Sequence, residues 1–86
     1  MKFNFFADAG HAWLKVPISL LVKLGIATKI SNFSYQRGDF AYLEEDCDAT
    51  TFANALKAAG KTFEYVEHSS DKSSRIRNYE QYAVKT

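Results

Sequence analysis

Apolar and polar positions change period several times along this chain, and the changes divide it into short elements. Phe3 and Phe5, then Trp13, Leu14 and Val16, lie in two stretches rich in aromatic and branched residues, on either side of Ala7-Asp8-Ala9-Gly10. That pattern predicts a hairpin or an edge pair of strands. Pro17 follows where a missing N–H does no harm, at the first position of a helix, and Ile18, Leu21 and Val22 continue at helical spacing until Gly25. A helix of about two turns persists only by packing its apolar face on a sheet.

Phe33 and Tyr35 alternate with Ser34 and Gln36, and Phe40 and Tyr42 with Ala41 and Leu43, around Arg37-Gly38-Asp39. Two alternating runs about a glycine turn predict a second hairpin. Phe52, Ala55, Leu56 and Ala59 then share a helical face that ends at Gly60, with Asp48 or Thr50 as the expected cap. Thr62 to His68 alternates again and reads as a strand, and Ser69 to Ser74 reads as a solvated loop. Arg75 to Tyr82 fits either a helix or a sheet edge. The order ββαββαβ plus a C-terminal tail predicts an α+β fold: a mostly antiparallel sheet with two short helices packed on one face, in one domain spanning residues 1–86.

Composition narrows the function classes. The formal charge is +1, from eleven basic and ten acidic side chains, so no global field gathers nucleic acid or an anionic membrane, and any polyanion contact must be local. Cys47 is the single cysteine, which rules out an internal disulfide. No apolar run reaches the length of a signal peptide or of a membrane span, and the expected setting is the reducing cytoplasm of a bacterial host cell, with no membrane partner.

Three clusters carry candidate chemistry. His11, after Asp8 and Gly10 and before Trp13, has the placement of an accessible acid or base. If the strand carrying His68 lay beside it, a two-histidine site assisted by Tyr35 or Lys15 would follow. Glu44, Glu45, Asp46 and Asp48 form an acidic run entering the second helix; helix-terminus electrostatics accounts for one or two of these carboxylates, and the remainder suit a basic protein partner. Arg75, Arg77, Tyr79 and Tyr82 combine cationic and aromatic side chains, the composition of binding hot spots and of single-strand nucleic-acid surfaces. The alternative for this last group is structural, with Ile76 and the tyrosines closing the core and the arginines pairing with the acidic run. No pair of residues has zinc-ligand spacing, no calcium loop is present, and neither a metal nor a cofactor is expected. Carboxylates around Cys47 should raise its pKa and oppose nucleophilic reactivity.

Asp8-Ala9-Gly10-His11-Ala12-Trp13-Leu14, the block Gly38 to Ala49, and Ile76-Arg77-Asn78-Tyr79 together resemble a group of short hypothetical proteins carried by bacteriophages, prophages and plasmids. The resemblance spans most of the chain. It implies an accessory protein of a mobile element, of a kind that acts by binding and blocking host machinery, and it transfers no catalytic residue.

The reading that follows is a non-enzymatic module that binds a host protein, with inhibition of a host defence system as the form this setting suggests. Two alternatives stand beside it: a small nuclease or toxin-like enzyme using His11, and a nucleic-acid-binding module using Arg75, Arg77, Tyr79 and Tyr82. Open sheet edges also make a homodimer by strand pairing an expectation.

Overall fold

The computed structural model describes residues 1–84. Among these, six strands form one sheet: β1 (Lys2–Ala7), β2 (Ala12–Pro17), β3 (Tyr35–Arg37), β4 (Phe40–Glu44), β5 (Glu64–Ser69) and β6 (Glu80–Gln81), in the spatial order β5-β1-β2-β4-β3-β6. Two α-helices, α1 (Ile18–Lys23) and α2 (Asp48–Ala58), and 3₁₀ turns at Ala27–Lys29 and Arg75–Asn78 complete the α+β fold. The sheet is mixed. β5 runs parallel to β1 and every other pairing is antiparallel, so the mostly antiparallel expectation holds with one exception. The exception has a topological cause, since α2 and the residues after it carry the chain back across the sheet before β5 begins, as a parallel neighbour requires.

The first hairpin forms as expected, yet neither of its strands is an edge, because β5 covers β1 and β4 covers β2. Gly38 takes φ 59° in the two-residue β3–β4 turn, the left-handed geometry that such turns require. Pro17 ends β2 and caps α1 from outside, one position earlier than the sequence pattern places it. The expected caps of α2 are also corrected: Cys47 occupies the N-cap with no side-chain bond, Asp48 is the first helical residue, and Thr50 lies inside the helix.

Alternation along the strands separates two apolar clusters on opposite faces. On the inner face, Leu14, Val16, Ala41 and Leu43 meet Leu21 of α1, Phe52 and Leu56 of α2, and Tyr82. Leu21, Phe52, Leu43 and Leu56 are fully buried, each contributing roughly 1.5–3 kcal/mol of transfer free energy. Phe3 and Phe63 pack against the Phe52 ring at 5.4 and 5.6 Å between centroids. On the open face, Trp13, Tyr42 and Ile76 form a smaller core, with Phe6, Tyr35 and Tyr79 around it. The ambiguous C-terminal segment resolves here: Arg75–Asn78 makes a 3₁₀ turn over the open face, and Glu80–Gln81 then adds a short strand beside β3.

Candidate ligand cleft on the open face of the sheet

Register places the open-face side chains in rows across the strands. One row is Val66, Asn4, Lys15, Tyr42 and Tyr35; the next is His68, Phe6, Trp13 and Glu44. Loop residues 70–74 and the following 3₁₀ turn arch over part of these rows and leave a cleft of about 540 Å³ between loop and sheet. Its cations are Lys15, Lys72 and Arg75, its flat walls are Phe6, His68, Tyr42 and Tyr79, and serines 69, 70, 73 and 74 line its loop side. No carboxylate is among these lining residues, and none of the three cations forms an ion pair among the described residues. The geometry supports the ring faces: His68 stacks on Phe6 at 5.1 Å, Tyr79 lies 5.1 Å from Tyr42, and Arg37 sits 5.0 Å over the Tyr79 ring. Burial pushes the Tyr42 hydroxyl pKa upward, with Tyr79 adding to the rise.

One contact holds the arch in place. The Asp8 carboxylate accepts from Arg77 Nε at 2.7 Å and Arg77 Nη2 at 2.8 Å, and from the backbone N–H groups of Ser74, Gly10 and His11 at 2.9, 3.0 and 3.0 Å. This bidentate pair ties the β1–β2 turn to the 3₁₀ turn, and the Arg77 guanidinium lies 5.3 Å from the Trp13 ring. Its donors hold the Asp8 carboxyl far below the usual carboxylate range, Arg77 contributing most. Gly10 leaves room for the same contact, because a Cβ there would stand 3.0 Å from Arg77 Nη2 and the guanidinium would have to shift.

The sequence candidates separate accordingly. Arg75 and Tyr79 reach the cleft, Arg77 is committed to Asp8, and Tyr82 is buried on the inner face, its hydroxyl donating to the Ala27 carbonyl at 2.6 Å. The four carboxylates of the acidic run do not form one patch. Asp48 is 1% exposed and turned inward, where it accepts from Ser31 N–H, Ser31 Oγ and Ser34 Oγ. Glu44 is half-buried, 3.8 Å from His11 Nδ1 and bonded to the Asp46 N–H, so Glu45 and Asp46 alone project freely. Glu44, Glu45 and Asp46 are the group whose oxygens, within 4.8 Å of one another, could hold a cation among the described residues. The two histidines do not converge either. His68 lines the cleft and bonds Asn4 Oδ1 at 3.1 Å, while His11 lines a separate pocket with Glu44 and Asn32. Two strand spacings, on the order of 10 Å, separate β5, which carries His68, from β2, which His11 immediately precedes.

Sequence reasoning missed Lys72 and the Asp8–Arg77 pair, and it named Lys15 only as an assistant to a two-histidine site. Lys15 stood on the open face by alternation alone, but the partnership of Asp8 with Arg77 spans 69 residues and has no local signal. Comparison with protein-family models, with curated proteins and with solved structures finds no match to this chain. Among the described residues, no helix is long and apolar enough to cross a membrane.

Proposed function

We propose that this protein is a non-enzymatic binding module whose ligand is single-stranded nucleic acid, held in the cleft of Lys15, Lys72 and Arg75. One observation carries the reading: three cations without carboxylate partners among the described residues surround a cleft walled by aromatic rings. A phosphate backbone supplies the negative charge such a cleft lacks, and unstacked bases supply planar faces for Phe6, His68 and Tyr79. Arg37 over Tyr79 and Lys15 over Phe40 extend the cationic surface across the sheet, which suits a strand longer than one nucleotide. The accessory role in a mobile element, implied by the resemblance, is part of this proposal, with occupation of a host nucleic acid as its means of interference. The placement of His11 and His68 in different pockets gives no support to a two-histidine enzyme. Binding of a basic host protein is the second reading, and it rests on exposed Glu45 and Asp46.

Fluorescence anisotropy with a labelled single-stranded oligonucleotide tests the proposal. Three phosphate contacts predict a slope of log affinity against log salt near −2, and Lys15→Gln or Arg75→Gln should each reduce its magnitude by roughly 0.7. Absence of binding at low salt, or affinity unchanged in both variants, refutes it. Capture of a host protein that is lost on charge reversal at Glu45 and Asp46 would favour the second reading instead.

A further inference from the structure

The sheet has two unlike edges. β6 is two residues long, whereas β5 presents six exposed residues, contains neither proline nor lysine, and pairs on one side only. The Glu64 N–H donates to Met1 O at 2.8 Å and the Ser70 N–H to Ala7 O at 3.0 Å, so the even-numbered residues turn their backbone groups toward β1. Tyr65, Glu67 and Ser69 therefore point their N–H and C=O groups outward, unpaired among the described residues. We propose that this edge binds a second copy of the same edge, antiparallel, about a two-fold axis through Val66.

Side-chain chemistry selects the copy and the register. A two-fold axis normal to the sheet opposes residues of equal parity, so the axis passes through one residue. Centred on Val66, the pairing sets Glu64 against the partner's His68, Tyr65 against the partner's Glu67, and Val66 against itself, all within the observed strand. Centred on Glu67, it sets two glutamates directly opposite each other, which is destabilising. Centred on Tyr65, it keeps only residues 64–66 opposite strand residues. The Val66 register is also the one in which Tyr65 and the partner's Glu67 exchange both outward backbone bonds. Lys2 stands beside Glu64 on β1, so this register keeps Glu64 between a cation and the partner's imidazole rather than a second carboxylate. The same axis keeps both open faces on one side, bringing two clefts onto a continuous twelve-stranded surface, twice the six strands of one copy. The proposal is independent of what the cleft binds.

Edge pairing alone covers less area than a standard interface, so association is expected to be weak and concentration-dependent. Sedimentation equilibrium should show the average mass rising from 9.7 kDa toward twice that value as concentration reaches the millimolar range. His68→Glu, which sets like charges opposite each other twice per dimer, should weaken association about tenfold, and Glu64→Lys combined with His68→Glu should restore it. Glu67→Pro removes an outward N–H while leaving the bonds to β1, and should abolish the dimer with an unchanged circular dichroism spectrum. A wild-type chain that stays at monomer mass throughout overturns the proposal, as does a folded double variant no tighter than His68→Glu alone, or a folded Glu67→Pro chain that still dimerises.

Discussion

Replacing Asp48 by alanine should be the most damaging single polar change in this protein. Its carboxylate is 1% exposed and accepts from Ser31 N–H at 3.0 and 3.1 Å, from Ser31 Oγ at 2.7 Å and from Ser34 Oγ at 2.5 Å. Ser34 is itself fully buried, and its oxygen accepts in turn from the Glu44 N–H at 2.9 Å, so the network joins α2, the loop before β3 and the end of β4. A hydrogen bond to a charged acceptor contributes roughly 1.5–3 kcal/mol, and neighbouring bonds in one network do not add. Asp48→Ala also strands the Ser34 hydroxyl without its acceptor, whereas the half-buried Ser31 can turn toward water. The loss works out at about 3 kcal/mol, a large share of what a domain of this size holds. In urea titrations followed by Trp13 fluorescence, the midpoint should fall with an unchanged slope, and melting should drop by about 12–24 °C. Asp48→Asn retains one acceptor oxygen and should lose roughly half as much. A loss below about 1 kcal/mol for the alanine variant would refute the network's role.

The Asp8–Arg77 pair gives a pH signature. Its depressed carboxyl pKa means that the stabilisation is complete above the unfolded value near ~3.9, and is lost as pH falls through the much lower folded value. The gap in urea midpoint between wild type and Asp8→Asn should therefore be flat at neutral pH and shrink below about pH 4; a gap constant down to pH 2 contradicts it. Cys47 is exposed, yet nearby Asp48 raises its thiol pKa, with burial adding to the rise. Alkylation at neutral pH should run slower than for a free cysteine in a peptide, and should accelerate in Asp48→Asn; equal rates would show that the carboxylate has no influence.

Elements with a strong local period were legible from sequence. The second hairpin followed from alternation about Gly38, and α2 from its apolar stripe ending at Gly60. Features decided by long-range pairing were not. The residues of β5 alternate as well in a parallel as in an antiparallel neighbour, so its direction depends on where the chain re-enters the sheet. Arg75 to Tyr82 was ambiguous because it serves three masters in eight residues: Ile76 covers Trp13, Arg77 reaches Asp8, and Tyr82 crosses to the inner core. The acidic run read as one patch because charge is visible in sequence and direction is not. Asp48 turns inward once α2 begins, leaving Glu45 and Asp46 outside. For the cleft, half was legible: Arg75, Tyr79 and His68 stood out and Lys15 was named beside the histidines, while Lys72 and the joining of these residues in one site depend on loop 70–74 folding over β1 and β2.

Amide chemical-shift mapping during titration with a short single-stranded oligonucleotide tests the central claim most directly. Shifts should be confined to Phe6, Lys15, His68 and residues 70–79 and weaken as salt is added, with Phe52 and Leu56 of the inner face unmoved. Shifts centred on Glu45 and Asp46, or a spectrum that does not change, would contradict it.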